Sequence, residues 1–190
     1  MKRIQYNAPV ILTFAIVSFG VLMLAILTDH SSTWAFFSVY SVPLRDWRAW
    51  IRLFGHVLGH ADMAHYSGNM LLLLMVGPIL EEKYGSKRLL AVIAFTALVT
   101  GIVHMIVSNT ALLGASGIVF MLILLSSVTN IRKGSIPLTL ILALIIYIGQ
   151  EIVAGVVAND NISQLAHIVG GLCGAVCGFF IYSDTTGNTK

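Results

Sequence analysis

Six mostly apolar stretches set the terms on which this chain can fold. They lie at 8–28, 66–81, 88–108, 115–131, 136–157 and 163–182, and each is near the roughly 20 residues a helix needs to cross a hydrocarbon layer about 30 Å thick. No water is present in that layer to satisfy backbone N–H and C=O groups, so an apolar run must satisfy them internally, as a helix. Composition agrees. Of the 190 residues, 57% are hydrophobic and 10% charged, where a soluble domain has about 45–50% and about 25%. The expected fold class is all-α: a polytopic membrane protein, a six-transmembrane-helix bundle, with 1–190 as a single domain. The first run is too long for the apolar segment of a signal peptide and reads as a retained helix.

Basic residues give the orientation. With the N-terminus inside, Lys2, Arg3, Lys83, Lys87, Arg88, Arg132, Lys133 and Lys190 are cytoplasmic, and only Arg45, Arg48 and Arg52 are outside. Eight against three predicts both termini inside and an even number of crossings. The same placement explains the net charge of +3 without nucleic acid, since no basic patch alternates with aromatics in the manner nucleic-acid binding requires. Between the first two runs, a long segment carries Trp34, Phe36, Phe37, Tyr40, Trp47, Trp50 and Phe54 with the three arginines interleaved. Half-dry rings and snorkelling stems suit the headgroup layer, which predicts short helices lying in the outer interface rather than a seventh span. Pro78 is expected to kink the end of the second helix, and Ser163 to cap the last one.

Two polar side chains sit where lipid makes polar groups costly. Ser116 lies in Gly114-Ala115-Ser116-Gly117 at the outer end of the fourth run. Gly114 and Gly117 permit close approach of backbone, and the free N–H groups of a helix N-terminus can stabilise an oxyanion. Taken alone, such a serine is as well explained as a helix cap. His167 lies about one turn into the last run, at similar depth, with Gly170, Gly174 and Gly178 following at four-residue spacing. Small residues so spaced let two helices approach closely, so a docked partner helix would meet the imidazole. Serine and histidine brought together make a nucleophile and a base. His65 and Asn69, four apart at the outer end of the second helix, share a face and can both donate hydrogen bonds to an oxyanion. A metal site built from His56, His60 and His65 is the competing reading. No carboxylate except Asp62 is near, and the spacing is not a His-Glu-x-x-His zinc motif, so neither a metal nor a cofactor is expected.

Together, His65-x-x-x-Asn69, Gly114-Ala115-Ser116-Gly117, Ala166-His167-x-x-Gly170 and the series His56, His60, His65 resemble the rhomboid family of intramembrane serine proteases in its minimal six-helix bacterial form, over essentially the whole chain. The resemblance implies a Ser116–His167 dyad without aspartate, and an oxyanion hole of His65, Asn69 and the Ser116 backbone N–H. Gly114 and Gly117 would support that region, with Gly170 in the docking face. Phe120 would stack on the His167 ring where many relatives carry tyrosine, and His56 and His60 would hold the first loop. The resemblance further implies a transmembrane protein as substrate and the bacterial plasma membrane as the location, with the site open to the outside. It leaves the oligomeric state open. Ile51 stands before Arg52 where relatives often have tryptophan, which affects the loop rather than the dyad. A non-catalytic rhomboid-like binder of transmembrane helices is the alternative. A transporter would need paired broken helices and mid-membrane charges, which the chain lacks. His104 is read as a satisfied interface residue, Glu151 as a carboxylate reaching the interface or the cavity, and Glu81 and Glu82 as capping or pairing with Lys83, Lys87 or Arg88.

Overall fold

A computed structural model describes residues 5–43, 45–128, 138, 141, 142, 145 and 162–187. The described structure is helical: α1 Pro9–Leu27, α2 Ser31–Phe36, α3 Trp47–Gly55, a 3-10 turn His56–Leu58, α4 Met63–Tyr84, α5 Ser86–Val107, α6 Ser116–Val128 and α7 Ile162–Gly187. Among the described residues, α1, α4 and α5 are long and apolar enough to cross a membrane. The helix expected over 136–157 lies almost wholly outside the described residues, and so does Glu151.

α1 is apolar on every side, yet only one stripe is buried: Ile11, Phe14, Ala15, Ser18, Val21, Leu22 and Ala25. Ile16, Ile26 and Leu27 point outward. A helix with that pattern has lipid, not water, on its outer face. The buried stripe packs on α4, where a Cβ at Gly77 would press on the side chain of Ile11.

α4 runs further at both ends than its apolar run. Asp62 caps it by accepting from the His65 backbone N–H at 2.7 Å, which brings His65 into the first turn. Pro78 lies inside it without ending it, and Glu81-Glu82-Lys83 are still helical. Gly85 ends α4 and α5 starts at the next residue; its φ of +81° suits glycine and few other residues. The turn thereby becomes a single-residue hinge between two antiparallel helices.

Glu81 is a correction to the sequence reading. It does not face the neighbouring lysines. It is buried, accepts from the backbone N–H groups of Val10 at 2.9 Å and Ile11 at 3.0 Å, and receives the Ser86 hydroxyl at 2.7 Å. One carboxylate thus caps the start of α1 from another helix, where the helix dipole favours negative charge. A distance of some seventy residues along the chain hid that partner. Ser163 is a second correction: α7 begins at Ile162, so Ser163 falls inside the helix rather than at its cap.

α6 is the centre of the bundle. Ile118, Val119, Phe120, Met121, Leu122 and Leu125 are all buried. α7 packs along it, with α4 and α5 on its other sides. The long first loop forms short helices, as expected. The exposed side chains of α3 are Trp47, Arg48, Trp50, Ile51 and Phe54, while Ala49, Arg52 and Leu53 are buried. An apolar stripe turned away from the protein body fits a helix seated in a lipid interface.

Candidate active site

Ser116 is the first residue of α6. The turn before it depends on Gly114, whose φ is +126°, a value that favours glycine. A Cβ there would also lie 2.8 Å from both Cε1 and Nε2 of His65, and 3.9 Å from Nδ2 of Asn69. The Gly114 Cα therefore fits directly against the imidazole and amide that α4 presents from one face. Asn69 is buried and its Nδ2 has no acceptor among the described protein groups.

Two glycines bring α7 to the same place. A Cβ on Gly170 would collide with the carbonyl of Gly117, and one on Gly174 with the carbonyl of Met121. In return, a Cβ on Gly117 would come to 3.3 Å from the Ala166 carbonyl oxygen. The helices touch backbone to backbone, as small residues permit. One rung further in, the Phe120 ring fills the space over Gly171, at 2.6 Å from where a Cβ would be. Ser116 and Phe120 are one turn apart on α6, and His167 and Gly171 are one turn apart on α7. The Phe120–Gly171 contact thus sets Ser116 and His167 at the same level of the helix pair. His167 is buried.

The Rhomboid domain family model matches residues 47–184, nearly three quarters of the sequence. This chain belongs to the rhomboid family. It is also 27% identical over 190 residues to the Rhomboid protease GlpG of Pectobacterium atrosepticum, an alignment that covers 98% of this chain and 66% of that protein. The chain therefore spans just under two thirds of the relative's length. Family membership and the apolar helices make it an integral membrane protein.

In this rhomboid the histidines of the first loop form a scaffold behind the site. His60 is fully buried and sets its ring edge-on to His65 at 5.1 Å and to Tyr66 at 5.5 Å. Its Nδ1 lies 3.2 Å from the Leu58 carbonyl. A carbonyl only accepts, so Nδ1 carries the proton. His56 is held the same way, its Nδ1 donating to the Arg52 carbonyl at 3.1 Å; its Nε2 lies 3.3 Å from Oγ1 of Thr100, a hydroxyl that also reaches the Thr96 carbonyl at 2.8 Å. The His56 carbonyl in turn receives the Gly114 N–H at 2.9 Å. Burial pushes the His56 imidazole down to about 4, outweighing its bond to Arg52, with neighbouring His104 adding to the lowering. Burial likewise holds His60 at about 4, with His65 contributing. Both rings are neutral donors and acceptors near pH 7.

The departure at Ile51 leaves the loop intact, because Arg52 supplies the fixings. Its guanidinium lies over the Tyr40 ring at 4.4 Å, its Nε donates to the Ala35 carbonyl at 3.0 Å, and Nη1 is 3.6 Å from Asp46. Sequence reasoning missed Thr100, the α5 residue that meets His56. The four-residue spacing of Thr96 and Thr100 in an apolar run was its only signal. Among the described residues no group of three or more His, Cys, Asp or Glu side chains is arranged to hold a metal ion.

Proposed function

We propose that this rhomboid is an intramembrane serine protease, with Ser116 as nucleophile and His167 as general base. The observation that carries the reading is the glycine-mediated contact of α6 and α7, in which Gly117 abuts Ala166 and Gly170. It brings a serine at a helix N-terminus and a buried histidine to one level of one interface. His65, Asn69 and the Ser116 backbone N–H are the oxyanion donors, with the Gly114 turn seated against the first two.

The chemistry is acyl transfer. His167 takes the Ser116 hydroxyl proton as Oγ bonds to the scissile carbonyl carbon. The carbonyl oxygen gains negative charge and is held by the donors. His167 then gives its proton to the departing amine nitrogen as the C–N bond breaks, leaving an ester on Ser116. Water, deprotonated by His167, attacks that ester; the bond from the acyl carbon to Oγ breaks, His167 returns the proton to Oγ, and the carboxylic acid leaves. No aspartate is used: a further buried charge near lipid is costly, and the packing of Phe120 and the α7 glycines can fix the ring instead.

The substrate is a transmembrane segment of another protein, which must unwind locally because a continuous helix engages its carbonyls in internal hydrogen bonds. Small, helix-breaking residues near its outer end favour this. In this reading the chain makes six crossings with both termini in the cytoplasm, and the first loop and active site face outward from a bacterial plasma membrane.

The test is direct. Purified protein is mixed with several model transmembrane substrates and with a fluorophosphonate probe. The wild type is expected to cut and to label, while Ser116→Ala and His167→Ala each lower kcat by about 10⁴-fold or more. A wild type that neither cuts nor labels, yet binds the segments, makes the protein a binder instead.

A further inference from the structure

The oxyanion turn ends a loop that starts where α5 stops. α5 buries a stripe that climbs through Leu89, Ile93, Thr96, Thr100 and Gly101 to His104, its last buried rung. His104 is 1% exposed, although it is one turn from the end of an otherwise apolar helix. Its Nε2 lies 3.0 Å from the Thr110 carbonyl oxygen. That oxygen can only accept, so the proton sits on Nε2 and the ring ties the helix to the loop that leaves it.

The loop has few other fixings. Near its start, Ser108 bonds within the loop, its Oγ accepting from the Thr110 N–H at 3.1 Å. In its middle, Val39 and Leu112 exchange backbone hydrogen bonds at 2.9 and 2.8 Å. At its end, the Gly114 N–H reaches the His56 carbonyl. Asn109 and Thr110 are exposed, so near the start of the loop His104 is the described side chain that pulls inward to the bundle. Loop position matters because Gly114 has only one seat, against His65 and Asn69, and Ser116 follows two residues later.

We infer that His104 is a positioning residue: through its bond to the Thr110 carbonyl it sets the 108–114 loop, and through the loop the Gly114–Ser116 turn. The inference rests on the serine-protease reading. His104 touches neither Ser116 nor the oxyanion donors in any contact described above, so its effect is on geometry. A shift of about 1 Å at a reacting group is enough to cost up to about 10²-fold in rate.

Three substitutions separate this from simple packing. His104→Gln keeps an N–H donor the same number of bonds from the backbone as Nε2. His104→Leu fills the space without a donor, and His104→Ala does neither. With a cleavable transmembrane substrate, Leu and Ala are expected to lower kcat by roughly ten- to a hundredfold at unchanged KM, while Gln stays within about threefold of wild type. Amide exchange gives a readout that needs no activity. The Gly114 N–H is expected to exchange faster in the Leu variant and at the wild-type rate in the Gln variant. If Leu and Gln behave alike in both measurements, or all three match wild type, the positioning role is wrong. A wild type that cuts nothing and takes up no probe overturns the protease reading instead, and the exchange comparison still decides whether His104 sets the loop.

Discussion

The two ends of this helix bundle solve the same problem with opposite chemistry. At the end far from the first loop, the loose backbone N–H groups of α1 are gathered by a single buried carboxylate, Glu81. At the loop end, the groups packed behind the site are two buried imidazoles, a threonine hydroxyl, backbone carbonyls, and glycines that let α6 and α7 touch, while the charges there are spread over Arg52 with Asp46 and the Asp62 cap of α4. A charge is tolerable at the far end because a helix N-terminus answers it and nothing there needs to react. A charge behind Ser116 would compete with the oxyanion for the same donors. The difference teaches that polar residues in an apolar bundle can hold structure through one buried charge or through a set of neutral donors and acceptors, and that the neutral set lies behind the candidate site.

The most drastic way to break the contrast is to separate α6 from α7. Gly170→Leu must displace the Gly117 carbonyl, so stability should drop by about 3 kcal/mol or more and cleavage should vanish. Gly20→Ala is the control: nothing lies within 4 Å of a Cβ there, and it should change thermal unfolding in detergent by at most about 1 kcal/mol. If Gly170→Leu unfolds like wild type, the backbone contact is not what holds the loop end.

Acid should come next, and should act on one end. His56 and His60 stand at about 4 when folded, against an ordinary 6.5. Above 6.5 both states are neutral and pH has no effect through these rings. Between 6.5 and 4 only the unfolded chain takes up the protons, so stability falls as pH drops through that window, by up to about 3 kcal/mol per ring. Below 4 the loss levels off. Unfolding midpoints followed from pH 7.5 to 4 test this, and replacing both histidines with phenylalanine should flatten the slope. An unchanged slope in that double variant places the acid response elsewhere.

Glu81→Gln should have the smallest effect and should be confined to the far end. The amide keeps one acceptor but turns N–H groups toward N–H groups, which should cost about 1–2 kcal/mol. Measured as the fraction folded, kcat per active molecule should be unchanged. A fall in kcat itself would show that the two ends are coupled.

Much of this was legible in the residues. Ser116, His167, His65 and Asn69 were visible because polar groups stand out in apolar runs, and the glycines at four-residue spacing named the face that docks. The loop helices were visible from their tryptophans and arginines. Glu81 was not, because its partners are backbone N–H groups far away in sequence, and backbone groups leave no mark on composition. His104 looked like an interface residue for the same reason: its partner is a carbonyl. Helix ends were misjudged where capping extended an element past its apolar stretch, as at Asp62 and at Glu81-Glu82-Lys83.

The burial of α6 has one more consequence. With Ile118 through Leu122 buried on all sides, this stretch has no slack into which a larger side chain could expand. Substitutions along it should register as lost stability before they register as altered selectivity.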